Sequence, residues 1–182
     1  GYAEFTSHGN YEQDQINLQY SQFVTRTLYD DGIIRQQLHG NLDALQTESR
    51  VDEKKVTERF FALAGVPVSS YCGDKARFIG NGRTYADPIG VETGHLGDVL
   101  NYCGSSCGAL STKMILAPGE TKTFAFLLGE KDPAEQEVVF TAYCDPAEKC
   151  ETQIRQLKTL WHDRFRALHV STPSADFDAM IN

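Results

Sequence analysis

Few side chains in this sequence stand in a pattern that does chemistry on its own. The acidic pairs Asp30/Asp31 and Asp52/Glu53 would suit acid–base work only if the fold set a second carboxylate against them. Asp30-Asp31-Gly32 is a turn signal, and Asp52/Glu53 falls in the most polar stretch, 40–55, so both pairs read as turn and loop charges. His8, His39, His95, His162 and His169 have neither triad nor metal-ligand spacing. The five cysteines, Cys72, Cys103, Cys107, Cys144 and Cys150, are odd in number and irregularly spaced, which favours reduced, buried or half-buried thiols over a disulfide framework. Cys103-Gly-Ser-Ser-Cys107 has no second cysteine or histidine pair at zinc-site spacing. No serine or cysteine sits in a nucleophile-elbow context, and Gly80-Asn81-Gly82 is not followed by the helix a dinucleotide fold requires. Trp161 has the shape of a sugar platform, but its helical register with Leu157 and Phe165 assigns it to a core.

The elements that must position these residues divide the chain in two. Before about Asp132 the pattern is short strands and turns. The stretch from Ile16 to Tyr29 is rich in aromatic and β-branched residues, as a long strand is, and Asp30-Asp31-Gly32 turns it into a return strand, Ile33 to Leu38. A buried strand is expected from Val56 to Val66, closed by Pro67. The glycine-rich run from Tyr71 to Tyr102 implies tight turns or irregular edge strands. A further hairpin is expected, with Ala109 to Leu116 and Thr121 to Leu128 as arms around Ala117-Pro118-Gly119-Glu120.

The hydrophobic period then changes. Asp132-Pro133-Ala134-Glu135 and Asp145-Pro146-Ala147-Glu148 both start helices, with proline in the first turn and acids where the helix dipole favours them. In the second helix Ile154, Leu157, Leu160, Trp161, Phe165 and Leu168 share one face. Burying that face would contribute on the order of 10 kcal/mol, and an isolated helix is marginal in water, so it is expected to dock. After Ser171-Thr172-Pro173-Ser174 a new periodic segment begins and runs to Asn182.

With 182 residues, 41% hydrophobic and 23% charged, the composition suits one globular domain or one domain with an appendage. A net charge of −8 disfavours a nucleic-acid or anionic-membrane partner. No apolar run approaches the roughly 20 residues of a membrane-spanning helix, and Gly1-Tyr2-Ala3-Glu4-Phe5 resembles no signal peptide. The missing initiator methionine suggests a piece of a longer protein.

Several stretches, in order, carry a resemblance. These are Asp14-Gln15-Ile16-Asn17-Leu18-Gln19, Phe78-Ile79-Gly80, Pro88-Ile89-Gly90-Val91 with Gly94-His95-Leu96, and Leu116-Ala117-Pro118-Gly119-Glu120 with Phe126-Leu127-Leu128-Gly129. The last is Trp161 with Val170-Ser171-Thr172-Pro173 and Met180-Ile181-Asn182. Together they resemble the N-terminal region of the inverting β-glucoside phosphorylases, the cellobiose and cellodextrin phosphorylases and their relatives.

The resemblance implies a mainly β fold: part of an antiparallel β-sandwich of the galactose-mutarotase-like supersandwich type, then linker helices leading to an (α/α)6 barrel outside this sequence. The corresponding division is 1–131 sandwich, 132–170 helical linker and 171–182 the start of a truncated catalytic domain. The implied reaction is reversible phosphorolysis of a β-glucosidic bond in a cello-oligosaccharide or disaccharide, giving α-glucose 1-phosphate with inversion. Inorganic phosphate would be the co-substrate, with no cofactor. One carboxylic acid suffices, because phosphate is already an anionic nucleophile; the family's acid and phosphate site lie in the barrel. In family members a Gln-Arg pair reaches the acceptor site of the neighbouring subunit. Gln19 matches the glutamine and Tyr20 stands where the arginine would be, which makes these two the candidate substrate-binding residues. The resemblance further implies a cytoplasmic homodimer in which this part scaffolds, dimerises and shapes the acceptor site. Two other readings are a stand-alone carbohydrate-binding β-sandwich and a purely structural module of a related enzyme of the trehalose or kojibiose phosphorylase kind.

Overall fold

A computed structural model describes residues 1–6, 12, 16, 25–38, 58–166 and 170–181. Its strands are β1 (Tyr2–Glu4), β2 (Thr25–Asp30), β3 (Ile33–Leu38), β4 (Glu58–Ala64), β5 (Ser70–Asp74), β6 (Ser106–Ser111) and β7 (Ala125–Lys131). Its helices are α1 (Lys75–Ile79), α2 (Ile89–Glu92), α3 (Pro133–Ala142), α4 (Pro146–Arg166) and α5 (Ala175–Ile181). The strands form two antiparallel sheets, a small one ordered β1-β6-β5 and a large one ordered β2-β3-β4-β7.

Three clusters of buried side chains reveal the layering. Phe5, Ile34, Phe61, Leu63 and Leu110 fill the space between the sheets. Cys72, Phe78, Cys107 and Ala109 lie between the small sheet and α1. Ile33, Phe60 and Ala62 lie between the large sheet and α3, where Val139 and Phe140 cover them. Successive residues of a strand point to opposite faces, so β4 sends Phe61 and Leu63 inward and Phe60 and Ala62 towards α3. That double burial is why ERFFALA reads as a nearly continuous apolar run instead of an alternating one. The sandwich expected from the sequence is present, with a helical layer on each outer side.

The β2–β3 hairpin is as expected. Asp31 (φ 36°) and Gly32 (φ 90°) occupy the turn with positive φ, the geometry that matches strand twist in two-residue hairpins. Of the long strand expected from Ile16 to Tyr29, the described part is β2 from Thr25; Ile16 itself is helical and exposed, and 17–24 lie outside the described residues.

The hairpin expected around Pro118 does not form. The turn is there, with the Glu120 amide donating to the Ala117 carbonyl at 2.9 Å. Its arms, however, join different sheets: β6 pairs with β1 and β5, whereas β7 pairs with β4 from Glu58↔Lys131 to Ala64↔Ala125. The segment is therefore a crossover between layers.

Both helix starts are present. Asp132 caps α3 by accepting from the Ala134 amide at 2.9 Å, and Pro133 opens the helix. Helix α4 runs for 21 residues from Pro146. Its apolar face does not lie in a core among the described residues: Ile154, Leu157, Leu160 and Phe165 are exposed, and Trp161 is 46% exposed. Trp161 stacks on Phe165 at 5.7 Å and lies beside the Arg164 guanidinium. Periodicity defined the face correctly, but the described residues of the sandwich leave it exposed.

Candidate functional site

The sequence-derived candidates Gln19 and Tyr20 lie outside the described residues, as do Asp52, Glu53, His8, His39 and His169. Other candidates have structural partners. Asp30 pairs with Arg35 at 3.6 Å beside the hairpin turn. His95 faces Asp98 at 3.5 Å, and His162 is exposed on α4. Cys103 and Cys107 do not converge; Cys103 is exposed, while Cys107 is buried beside Cys72. The Cys107 thiol donates to the Cys72 carbonyl at 3.6 Å, and the Cys72 thiol donates to the Asp74 carbonyl at 3.2 Å. Hydrogen bonding to Cys72, then burial, push the Cys107 thiol up and hold it protonated.

The densest polar arrangement among the described residues was not legible as a motif, because it draws on three distant segments. Strand β1 places Tyr2 and Glu4 on one face, two residues apart. Asp74 caps α1 by accepting from the Arg77 amide at 3.0 Å, and Lys75 follows as its first residue. Tyr85 sits in a turn held by the Asp87 carboxylate, which accepts from the Thr84 amide (3.0 Å) and hydroxyl (2.9 Å). Arg83 braces the same turn by donating to the Asp87 carbonyl at 3.3 Å and pairing with Glu92.

These segments meet at Glu4. Its carboxylate accepts from Tyr2 Oη at 3.0 Å, from Lys75 Nζ at 3.1 Å and from Tyr85 Oη. The Lys75 ammonium also lies 5.1 Å from the centre of the Tyr85 ring, a cation–π contact. Tyr2 stacks on Phe78 at 4.5 Å and meets Tyr85 edge-on.

Partial burial pushes the Glu4 carboxyl up, but hydrogen bonds from Tyr85, Lys75 and Tyr2 outweigh it and hold the group below its ordinary 4.5. Burial, then the nearby Cys107 and Glu4, push the Tyr2 hydroxyl far up, so Tyr2 remains a donor. A carboxyl depressed by folding stabilises the native state above its unfolded pKa and loses that contribution as pH falls through the folded value. Wild type is therefore expected to lose stability below about pH 4.5 more steeply than Glu4→Gln. Urea midpoints measured from pH 6 down to pH 3 would converge for the two proteins; a constant gap would exclude this role for Glu4.

Fold and site together define a two-sheet antiparallel supersandwich with flanking helices. The chain belongs to the glycosyl hydrolase 94 supersandwich-domain family, whose model matches residues 1–146. Two curated relatives match all 182 residues: the N,N'-diacetylchitobiose phosphorylases of Vibrio furnissii, at 29% identity, and of Vibrio proteolyticus, at 30%. The chain spans 21% of the length of each. The cyclic beta-(1,2)-glucan synthase NdvB of Rhizobium meliloti (strain 1021) is 27% identical over 124 residues, 68% of this chain and 4% of that protein. Among the described residues, no helix is long and apolar enough to cross a membrane.

Proposed function

We propose that this chain is the non-catalytic sandwich part of a glycoside phosphorylase. The whole enzyme would cleave a β-linked disaccharide or short oligosaccharide with inorganic phosphate and release an α-sugar 1-phosphate with inversion. The observation that carries this reading is similarity over all 182 residues to two proteins named as phosphorylases. The chemistry is economical, since phosphate attacks as an anion and one carboxylic acid protonates the leaving oxygen. That acid, and the phosphate site, would lie in the remainder of the protein.

Two donor sugars fit. The Vibrio relatives favour an N-acetylglucosaminyl donor. The resemblance to cellobiose and cellodextrin phosphorylases, together with the similarity to a β-glucan synthase, supports a β-glucosyl donor. Residues 132–170 would act as a helical linker and 171–182 would open the catalytic domain. The sandwich would scaffold, form a homodimer contact and help shape the acceptor site of a cytoplasmic enzyme that needs no cofactor beyond phosphate.

The test is synthesis by the full-length protein. α-Glucose 1-phosphate or α-N-acetylglucosamine 1-phosphate is supplied with glucose, N-acetylglucosamine, cellobiose or laminaribiose, and phosphate release is measured. Release with at least one pairing is expected, and none with any pairing would reject the reading. Gln19 is proposed to contact the acceptor, with Tyr20 stacking on its sugar ring. Gln19→Ala is then expected to raise the acceptor KM by roughly tenfold, the equivalent of about 1.4 kcal/mol, with melting temperature nearly unaltered. A large drop in melting temperature would assign Gln19 to the fold instead.

A further inference from the structure

The Glu4 cluster has an outward face that its structural role leaves unused. Tyr85 is 57% exposed, although its hydroxyl is anchored on Glu4 and its ring lies against the Lys75 ammonium. An exposed aromatic ring fixed at both its tip and its face is a preorganised platform, and binding to it costs little side-chain entropy. Lys75 also lines a neighbouring open hollow of about 350 Å³, together with Ala76, Ile79, Asn81 and Ser105. Lys75 is thus the wall shared by ring and hollow. Gly80 (φ 92°) and Gly82 (φ 71°) shape the rim, and a side chain at Gly82 would meet no atom within 4 Å, so the opening is wide there. The exposed Asn81 amide, the Ser105 hydroxyl and the Lys75 ammonium supply donors and acceptors around an apolar floor of Ala76 and Ile79.

From this geometry we infer a secondary saccharide-binding site, with a pyranose ring on Tyr85 and a neighbouring sugar's hydroxyls directed to Lys75, Asn81 and Ser105. The ligand class is a neutral β-linked oligosaccharide: Glu4 balances the charge of Lys75, while ring faces and hydroxyls match an aromatic platform beside amide and hydroxyl groups. The inference rests on the carbohydrate reading above. It adds a site on the sandwich itself, separate from Gln19 and Tyr20.

The experiment is affinity electrophoresis of the full-length protein in native gels cast with soluble glycol chitin or hydroxyethyl cellulose, against sugar-free gels. Wild type is expected to be retarded by at least one polymer. Tyr85→Ala should weaken the derived affinity by roughly three- to tenfold, whereas Tyr85→Phe, which keeps the ring, should stay within about twofold of wild type. Both substitutions remove the hydroxyl link to Glu4, so a purely structural Tyr85 would lower the melting temperature of both and leave the retardation of both unchanged. Wild type running freely in both polymers, or Tyr85→Ala retarded as strongly as wild type, would overturn the site. Phosphate release is measured on the same wild-type preparation: release without Tyr85-dependent retardation rejects the saccharide site alone, and retardation without release rejects the phosphorylase reading alone.

Discussion

Replacing Gln136 by leucine is expected to lower stability by about 2–5 kcal/mol, mostly through polar groups left without partners. Gln136 is fully buried beneath α3. Its amide nitrogen donates to the Glu58 carbonyl at 3.2 Å and the Lys131 carbonyl at 2.8 Å, and its amide oxygen accepts from Arg35 Nε at 2.9 Å. One side chain thus ties the helix to β4, to the end of β7 and to β3. Leucine would fill nearly the same volume but strand two carbonyls and part of a guanidinium whose remaining carboxylates, Asp30 and Glu137, stand 3.6 and 3.8 Å away. Urea unfolding with an unchanged slope and a lowered midpoint would measure the loss. A loss below about 0.5 kcal/mol for Gln136→Leu would place it with ordinary surface substitutions and contradict this account.

The second large effect is expected at Gly73→Ala, about 1–3 kcal/mol by overpacking. A Cβ on Gly73 would fall 2.1 Å from Thr27 Oγ1 and 2.8 Å from Thr27 Cβ. Thr27 cannot simply turn away, because it is buried and its hydroxyl accepts from the Asn101 amide at 2.7 Å. The Thr27 amide in turn donates to the Asn101 carbonyl at 2.9 Å, and the Gly73 amide donates to the Val99 carbonyl at 2.7 Å. Residues 99–103 therefore fasten the β2 edge of one sheet to β5 of the other, and glycine is what lets the sheets approach there. The compensating change Thr27→Ala, which removes the clashing hydroxyl oxygen, should recover part of the loss in a double-mutant cycle. Strict additivity of the two changes would show that the contact is not shared.

Much of this architecture was legible because local chemistry dictated it. The Asp31-Gly32 turn fixes the β2–β3 register, and the two Asp-Pro pairs fix where α3 and α4 begin. Strand β4 read as buried because both its faces are covered. The β6–β7 connection misled because turn residues at 117–120 dictate a reversal without dictating which strand lies beside each arm. Trp161 misled in a related way, since a helical stripe shows which side chains share a face and not what covers them. Gly73 read as part of a run of tight turns or irregular edge strands, and β5 is an edge strand with a register shift between Cys72 and Asp74; the close approach to Thr27 is what the sequence did not show. The Glu4 cluster left no signal, because residues 4, 75 and 85 acquire proximity only when β1 joins the small sheet beside α1.

The configuration of the product tests the proposed reaction of the whole protein most directly. Full-length protein is incubated with inorganic phosphate and either N,N'-diacetylchitobiose or cellobiose, and the products are followed by phosphorus and proton NMR. The account predicts a sugar 1-phosphate of α configuration, formed from a β-linked substrate in step with one equivalent of the released sugar. A β-configured 1-phosphate, or free sugars released with no phosphate ester, would contradict it.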